Sequence, residues 1–331
     1  YQLLLGETGT NVLTVIEEAP VPSTPLGSNW MMQVALAAVA GAMFAIGAAF
    51  LIEYLDDTLR SIEDAEKAMG LQTLGTISRI PGNAPSEKLI TARHPRSPIS
   101  EAYRSLRTSL RFSSLDQPLR TMIVTSANAL EGKSTMAANL AVVMAQTGSR
   151  VVLVDADLRR PMVHKIFQVS NKEGLTNILF EDLPVLDGHL QETGVENLRV
   201  LPSGPLPPNP SELLGSQKMR GLLEQIKEES DIVVFDTPPI LPVTDAAVLA
   251  PQTDGVLVVT YAGRTRQGAA RHAAERLRQV GANLLGVAWN RMSSRGQGGD
   301  YYYYYYAQDA KGRRRRKRKR KSKRPSYGRT S

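Results

Sequence analysis

The sequence predicts an α/β protein with a mostly parallel sheet flanked by helices, preceded by one transmembrane helix and followed by a disordered tail. Three observations support this prediction. Short apolar segments alternate with helical segments across residues 119–291, an order typical of a parallel sheet. Residues 31–52 are apolar apart from Gln33, and residues 292–331 have no apolar periodicity.

Composition narrows the classes of function. The 331 residues contain no cysteine, which excludes disulfide bonds, Cys-ligated zinc and a thiol nucleophile. The net charge is +8, yet residues 311–331 carry thirteen Lys or Arg and no acid, which leaves −5 on residues 1–310. The basicity therefore belongs to the tail and not to the folded body.

Residues 31–52 predict a membrane span. These 22 residues, at about 1.5 Å each, reach about 33 Å, enough to cross a hydrocarbon core of about 30 Å. Trp30 and Tyr54 stand at the two ends, where interfacial aromatic residues occur. A buried core helix is the alternative, but the length and the lack of charge disfavour it.

The residues flanking the span predict its orientation. Residues 1–30 hold no Lys or Arg, whereas Arg60, Lys67 and Arg79 follow the span. The positive-inside rule therefore places the C-terminal side in the cytoplasm. We expect residues 1–30 to be the end of a truncated extracytoplasmic domain.

Residues 53–118 are predicted to link the membrane to the main domain. A short helix is expected at Asp64–Met69, with Gly70 just past its end. A second helix, amphipathic, is expected from Ser100 to Phe112, with an apolar face formed by Tyr103, Leu106 and Leu110.

Residues 119–291 form the predicted main domain. Strands are predicted at Thr121–Ser126, Arg150–Asp155, Leu198–Leu201, Asp231–Asp236, Gly255–Tyr261 and Leu284–Asn290, and helices at Ser134–Thr147 and at about 211–229, 243–251 and 265–280. The second strand has an entirely apolar centre, as in a sheet covered on both faces.

One motif lies between the first predicted strand of this domain and the helix that follows it. It reads Glu131-Gly132-Lys133-Ser134-Thr135. In such a turn, backbone N–H groups and the helix N-terminus face phosphate oxygens, Lys133 reaches the β and γ phosphates of a nucleotide, and the Ser134 hydroxyl ligates Mg²⁺. The full pattern G-x-x-x-x-G-K-[ST] requires glycine where this chain has Ala127, so a chance exposed turn is the alternative.

Two further motifs place carboxylates at strand ends. Asp155 is the last residue of the strand Val151–Asp155, and Asp157 follows two positions later. Asp236 is the last residue of a later apolar strand. Ligands of open α/β sheets bind at this edge, where paired acids suit Mg²⁺ or accept a proton from a hydroxyl group. Solvated loop acids are the alternative. Together, the three motifs predict a nucleotide site.

The segments EGKST, VVLVDADLRRP and IVVFDTPP resemble the bacterial tyrosine kinases (BY-kinases). The segment EYLDDTLRSIEDAEKAMGLQTLGTI, after the span, resembles the end of a Wzz-type polysaccharide chain-length determinant. The fused arrangement is similar to the Wzc-like polysaccharide co-polymerase kinases, from about residue 11 to 306. This resemblance implies a P-loop NTPase fold with ATP and Mg²⁺ as cofactors.

The resemblance also implies roles for individual residues. Lys133 and Ser134 match the Walker A motif of the family. Asp155 and Asp157 match its Walker A′ acids, of which one is a candidate base for the incoming tyrosine and both lie near Mg²⁺. Asp236 matches the Walker B acid. Lys133, Asp155, Asp157 and Asp236 are thus the implied catalytic residues, and Ser134, Asp157 and Asp236 the implied metal ligands.

Other matches concern the nucleotide base and oligomerisation. Asn290 follows the last strand, where related ATPases contact adenine. Glu101, Arg104 and Arg107 match a helix that packs against the active site of the neighbouring subunit in a ring, although a solvated basic face is the alternative from the residues alone. Leu130 replaces the glycine of the family loop P-G-E-G-K-S, so we expect strain in this loop.

The tail contains candidate phosphoacceptors. Six consecutive tyrosines occupy positions 301–306, and they are Tyr301, Tyr302, Tyr303, Tyr304, Tyr305 and Tyr306. A sticky, β-prone segment is the alternative. The basic run Arg313–Lys321 is either a solvated polycation, an attachment to anionic lipid or, less favoured, a contact with nucleic acid.

The combined prediction is an ATP-dependent tyrosine autokinase in the bacterial inner membrane, with its kinase domain in the cytoplasm. We expect it to assemble as a homo-oligomeric ring, to phosphorylate its tail in trans and to act with the polysaccharide polymerisation and export machinery. Two rivals stay open: a ParA/MinD-like ATPase that uses water as the nucleophile, and a non-catalytic chain-length scaffold.

Overall fold

The computed structural model describes residues 29–113, 118–181, 186 and 188–292. The chain divides into two compact units between Asp56 and Asp57. The predicted phosphoacceptors Tyr301–Tyr306, the basic run Arg313–Lys321 and most of the predicted extracytoplasmic segment lie outside the described residues.

The first unit contains one helix, α1, which spans Trp30–Leu55. It includes the predicted span and extends beyond it at both ends. Its large apolar side chains are exposed, among them Phe44, Phe50 and Ile52. Among the described residues this is the single helix long and apolar enough to cross a membrane, by length and composition.

The second unit is built on an eight-stranded sheet in the order β1-β8-β7-β2-β6-β3-β5-β4. The strands are β1 (Thr73–Ser78), β2 (Thr121–Ser126), β3 (Val151–Asp155), β4 (Gln191–Glu192), β5 (Leu198–Leu201), β6 (Ile232–Asp236), β7 (Gly255–Tyr261) and β8 (Leu284–Met292). All pairs are parallel except β4 with β5. The predicted fold class is confirmed, and all six predicted strands occur to within two residues at either end.

Helices connect and cover these strands. They are α2 (Ile62–Met69), α3 (Ile90–Arg93), α4 (Pro98–Ser113), α5 (Lys133–Ala145), α6 (Val163–Phe167), α7 (Leu175–Phe180), α8 (Pro210–Leu214), α9 (Gln217–Glu229), α10 (Asp245–Leu249) and α11 (Gln267–Gln279), with 3-10 turns at Pro85–Lys88 and Ala250–Gln252. The helix predicted at about 211–229 is two helices, α8 and α9. Ser216 separates them, because its side chain accepts a hydrogen bond from the Met219 N–H and caps α9.

The described residues from Asp57 to the start of β2 belong to the same compact unit as the main sheet. Strand β1 pairs in parallel with β8, and no periodicity in the sequence predicts β1. Helix α2 occurs as predicted: Ser61 and Asp64 form its capping box, and Gly70 takes the left-handed conformation at its end. The predicted apolar face of α4, with Tyr103, Leu106 and Leu110, is buried.

The strand order determines which loops meet. Strand β6 lies between β2 and β3, and every residue of β2 and β3 is buried. Because these three strands are parallel, their carboxyl ends share one edge of the sheet. The loops that begin at residues 127, 156 and 237 therefore leave the sheet side by side and bring the three sequence motifs together.

Candidate active site

The loop between β2 and α5 contains two left-handed residues. Leu130 has φ 67° and Gly132 has φ 96°. Glycine adopts this conformation freely, whereas a side chain costs about 1–2 kcal/mol. The expected strain at Leu130 is thus present in its backbone. The Leu130 side chain is 71% exposed, so no packing contact within the described residues offsets much of the cost.

Glycine is required at position 132 for a further reason, because the Asn290 side chain lies close to its Cα atom. A Cβ atom at this position would lie 2.2 Å from Nδ2 of Asn290. The same Nδ2 donates a hydrogen bond to the carbonyl oxygen of Glu131 at 2.7 Å. Asn290, predicted to contact the base of the nucleotide, therefore holds the backbone of this loop; its contact with adenine stays a prediction.

The Glu131 side chain fixes the loop from inside the protein. Its carboxylate is buried and accepts hydrogen bonds from the backbone N–H of Asn128 at 3.1 Å and from Oγ1 of Thr265 at 2.7 Å. Burial raises the pKa of Glu131, although the Thr265 hydrogen bond opposes the shift. Sequence reasoning does not identify Thr265, because it lies 134 positions away in a polar loop.

Ser134 and Thr135 lie in the first turn of helix α5, and both are half-buried. The predicted cofactor-binding residues from Glu131 to Thr135 are therefore continuous in the loop and in the first turn of a 13-residue helix. The unpaired N–H groups of such a helix end favour phosphate oxygens.

Lys133 occupies a buried position among the predicted catalytic acids. Its Nζ lies 2.6 Å from Oδ2 of Asp157 and 3.8 Å from Oδ1 of Asp236. The motif alone predicts that a P-loop lysine without a ligand faces solvent, and this prediction is wrong here, because Lys133 is only 8% exposed. Burial alone would lower the pKa of Lys133, but the carboxylates of Asp236 and Asp157 outweigh it and raise the pKa.

Asp155 and Asp236 end neighbouring strands and are paired in register. Oδ2 of Asp155 accepts hydrogen bonds from the N–H groups of Met162 at 3.1 Å and Val163 at 2.9 Å. Among the described residues, Oδ1 of Asp155 and both oxygens of Asp236 have no hydrogen-bond partner. Such buried, unpartnered oxygens are costly, which is typical of a site that awaits a ligand.

The two buried acids titrate abnormally. Burial raises the pKa of Asp155 well above the ordinary value, and the neighbouring carboxylate of Asp236 raises it further. Burial also raises the pKa of Asp236 to about 6, against the opposing effect of the Lys133 ammonium. Strong shifts of this kind cluster at functional sites.

The residues present fit a divalent cation that arrives with a nucleotide. The unpartnered oxygens are hard oxygen donors, which Mg²⁺ prefers. No group of three or more His, Cys, Asp or Glu side chains within the described ranges is arranged to hold a metal by itself. The phosphates and bound water would therefore supply the other ligands.

The predicted interface residues lie on α4 and make contacts within the chain. Nη1 of Arg104 pairs with Oε2 of Glu101 at 2.7 Å. Nη1 of Arg107 donates to the carbonyl oxygen of Val143, near the end of α5, at 2.7 Å. Arg107 thus ties α4 to the helix that carries Lys133, a role that the sequence did not indicate. Contact with a neighbouring subunit stays a prediction.

Comparison with known proteins identifies the family. A family profile described as "AAA domain" matches residues 123–280. The tyrosine-protein kinase YwqD of Bacillus subtilis strain 168 is 42% identical over 222 residues, which are 66% of this chain and 93% of that protein. The chain belongs to the bacterial tyrosine-protein kinases. The predicted resemblance to BY-kinases and the predicted enzyme class are thereby confirmed.

Further relatives agree with this family. The putative tyrosine-protein kinase EpsB of Ralstonia nicotianae is 33% identical over 297 residues, which are 87% of this chain but only 39% of that protein. The kinase domain of the Escherichia coli tyrosine kinase ETK has a TM-score of 0.67 at 32% identity and covers 72% of this chain and 97% of that domain. Nucleotide binding by the P-loop follows from this family and fold, and α1 is the candidate membrane anchor.

Proposed function

We propose that this BY-kinase transfers the γ-phosphate of ATP to tyrosines of its own tail, with Mg²⁺ as cofactor. The observation that carries the proposal is the buried cluster of Lys133 with Asp155, Asp157 and Asp236 beside the P-loop. A cation shared between two carboxylates, next to unpartnered carboxylate oxygens, suits a triphosphate that arrives with a metal ion.

We propose that nucleotide binding redistributes the charges of this cluster. The Lys133 ammonium exchanges its contact with Asp157 for the β and γ phosphates, because phosphate carries more charge than a carboxylate. Ser134, Asp236 and Oδ1 of Asp155, which has no hydrogen-bond partner among the described residues, would hold Mg²⁺, and the ion would neutralise charge on the transferred group. The N–H groups of the loop and of the first turn of α5 hold the phosphates.

Asp157 has two predicted roles, metal ligand and base, and its position favours the second. It lies two residues beyond the end of β3, and Lys133 vacates its Oδ2 when the nucleotide binds. That oxygen then orients the tyrosine hydroxyl and accepts its proton, while the hydroxyl oxygen attacks the γ-phosphorus in line with the bond that breaks.

The assembly proposal concerns a second copy of the chain. We propose that Glu101 and Arg104 on α4 contact the active site of a neighbouring subunit in a ring, and that Tyr301–Tyr306 are phosphorylated in trans. The tyrosine run begins nine positions after Met292, where β8 ends, and a flexible chain of about ten residues spans roughly 20 Å on average. This reach favours a neighbouring site.

The cellular proposal rests on the sequence and on α1. The chain would be anchored in the bacterial inner membrane with its kinase domain in the cytoplasm, would act with the polysaccharide polymerisation and export machinery, and would contact anionic lipid through Arg313–Lys321. Nucleic acid is the less favoured partner for this basic run.

A phosphotyrosine assay of the purified chain tests the central proposal. With ATP and Mg²⁺ we expect phosphotyrosine on the tail; release of inorganic phosphate without phosphotyrosine would instead support the ParA/MinD-like alternative. Absence of nucleotide binding in a titration would support the scaffold.

Mixed subunits test the trans mechanism. A Lys133→Met subunit that keeps all its tyrosines is combined with an active subunit in which Tyr301–Tyr306 are phenylalanine. We expect phosphate on the inactive subunit. If active subunits label only themselves, at a rate independent of concentration, transfer occurs in cis.

Sedimentation tests the ring. The pair Glu101→Ala and Arg104→Ala should lower self-association, while Arg107, which ties α4 to α5, stays in place. An unchanged assembly state would mean that this face of α4 is only solvated.

A further inference from the structure

The loop after β3 presents two arginines that the proposed mechanism does not use. Arg159 and Arg160 follow the proposed base Asp157 within three positions, and both are exposed. The loop is fastened at both of its acids, because the N–H groups of Met162 and Val163 donate to Asp155 and the N–H of Arg160 donates to Asp157. The two guanidinium groups therefore stand at the rim of the site on a rigid support.

Arg159 is held in one orientation by a buried carboxylate. Its Nε and Nη2 donate to the two oxygens of Asp245 at 2.9 and 3.0 Å. Asp245 begins α10 and is fully buried, and Ser211 of α8 also donates to it. A bidentate pair of this kind fixes a guanidinium group. Through Asp245, these hydrogen bonds connect the segments that follow β3, β5 and β6.

Arg160 is attached differently, through its backbone. Its N–H donates to Oδ1 of Asp157 at 3.0 Å. Within the part of the chain that the structure describes, its guanidinium makes no hydrogen bond or ion pair. Asp157 thus fixes the start of a free cationic side chain, whose five N–H donors suit a carboxylate or a phosphate.

The charge of the site indicates what these arginines bind. The interior holds Asp155, Asp157 and Asp236 against one lysine, and a triphosphate adds further negative charge. An acceptor segment with acidic residues would be repelled unless the rim carries positive charge. Asp300 and Asp309 flank the tyrosine run of this chain.

The distances are compatible with such a contact. Successive residues of an extended peptide are about 3.3 Å apart, so a group two or three positions from the acceptor lies about 7–10 Å away. The backbone N–H of Arg160 contacts the carboxylate of Asp157 at 3.0 Å, so the long Arg160 side chain starts beside the position proposed for the acceptor hydroxyl. A phosphotyrosine formed earlier in the same run brings a charge of about −1.5 to −2 and binds arginine more strongly than a carboxylate.

We infer that Arg160, with Arg159 fixed beside it by Asp245, binds the anionic side chains that neighbour the acceptor tyrosine. The substrate class is therefore tyrosine in acidic or already phosphorylated surroundings. Phosphorylation of one tyrosine in a run then favours its neighbours. This inference rests on the proposed kinase function with Asp157 at the acceptor.

Peptide kinetics test the inference. The enzyme is the full chain in lipid nanodiscs with Tyr301–Tyr306 replaced by phenylalanine, so that it carries no acceptor run of its own. The substrates are peptides of residues 298–310 with tyrosine at 303 and phenylalanine at the other five positions. Positions 300 and 309 are both Asp, both Asn or both Lys, and a fourth peptide carries phosphotyrosine at 305.

The KM should rise in the order phosphotyrosine, Asp, Asn, Lys, by about three- to fivefold between the Asp and Asn peptides, with kcat nearly constant. Arg160→Glu should reverse the order of the Asp and Lys peptides. The matched control is Arg271→Glu, an exposed arginine on α11, which makes the same charge change away from the site and should keep the original order. Circular dichroism and urea unfolding, compared with the unsubstituted chain, report whether Arg160→Glu is folded.

Equal KM values for the three unphosphorylated peptides, or an order that Arg160→Glu leaves intact, would overturn the inference while the kinase function stands. A preference for the Lys peptide would assign recognition to the acids of the site instead, and would also overturn it. If neither the peptides nor the tail of the unsubstituted chain are phosphorylated, the proposed function fails, and the inference fails with it.

Discussion

Two buried polar clusters on α5, one around Lys133 in its first turn and one around Asn139 near its middle, differ in how completely their hydrogen bonds are formed. Around Asn139 every hydrogen-bonding group is paired: Oδ1 accepts from the N–H and Oγ1 of Thr91 at 3.0 and 2.9 Å, and Nδ2 donates to the carbonyls of Lys88 and Thr135 at 2.8 and 2.9 Å. Around Lys133 three carboxylate oxygens have no hydrogen-bond partner among the described residues.

The difference separates a structural cluster from a functional one. A fully paired buried amide stabilises one arrangement and leaves nothing for a ligand to bind. Buried carboxylate oxygens that lack a hydrogen-bond partner destabilise the folded protein, and a bound ligand or loss of the negative charge removes that cost. Substitutions in the two clusters should therefore have opposite consequences for stability and for activity.

The largest expected effect is on catalysis. Lys133→Met removes the one ammonium that the structure places between Asp157 and Asp236, so phosphotyrosine formation should fall by at least about 100-fold. An anti-phosphotyrosine time course measures this, with membrane association as the control that should persist. Undiminished phosphorylation would refute the P-loop assignment.

Substitution of Asn139 should lower the stability of the protein and leave its catalytic activity nearly unchanged. Asn139→Ala removes four hydrogen bonds, two of them fully buried, and should lower the free energy of unfolding by about 3 kcal/mol. The specific activity of the remaining folded protein should change little. Urea unfolding measures the loss, and Thr91→Val, which removes one hydroxyl, should cost only about 1 kcal/mol. Loss of activity without loss of stability would contradict this assignment.

The protein should become more stable when the negative charge of Asp236 is removed. Asp236 binds its proton more tightly in the folded protein than in the unfolded chain, so its contribution to stability falls as pH rises from about 4 to about 6, and the deficit persists above that range. Asp236→Asn should therefore be more stable than the unsubstituted protein by about 1–3 kcal/mol at pH 7.5, and the difference should vanish near pH 4.

A surface acid provides the control for this pH dependence. The hydrogen bond from Arg150 lowers the pKa of Asp231, so its stabilisation is present above its unfolded pKa and is lost as pH falls. Asp231→Asn should cause a small loss at pH 7.5, opposite in sign to the effect at Asp236. Equal signs in urea unfolding would mean that the charge of Asp236 is not what destabilises the site.

The smallest expected effect concerns the loop backbone. Leu130→Gly removes the left-handed strain of a side chain that is mostly exposed, which should raise the free energy of unfolding by about 1 kcal/mol. The entropy that glycine loses on folding opposes this gain. Thermal unfolding measures it, and Leu130→Ala, which keeps a Cβ atom, should show little of it. An equal gain in both variants would mean that Leu130 is destabilising through its exposed side chain and not through its backbone.

The sequence predicted the parts of the molecule that depend on local pattern. Strands such as β2 and β7 are continuous apolar segments, and their bounds were predicted without error. Strand β1 was not predicted, because only Ile77 of its six residues is buried and Gly75 interrupts its pattern of apolar residues. The acids were found because each follows an apolar strand.

The contacts that hold the site together were not predictable in this way. Thr265 reaches Glu131 across 134 positions, and nothing in its polar neighbourhood distinguishes it from other loop residues. The burial of Lys133 depends on three carboxylates that come from β3, from the turn after it and from β6. Motifs identify such residues, but the charge balance around them arises only when the strands are placed side by side.

The pairing of β1 with β8 limits where the chain can be shortened. A fragment that begins at residue 119 would lack β1 and would expose one side of β8, a strand of nine residues. Long unpaired edges recruit strands from other molecules and cause aggregation. The smallest soluble fragment of this kinase should therefore begin at or before α2, and limited proteolysis should spare the segment from Ile62 to Ser78.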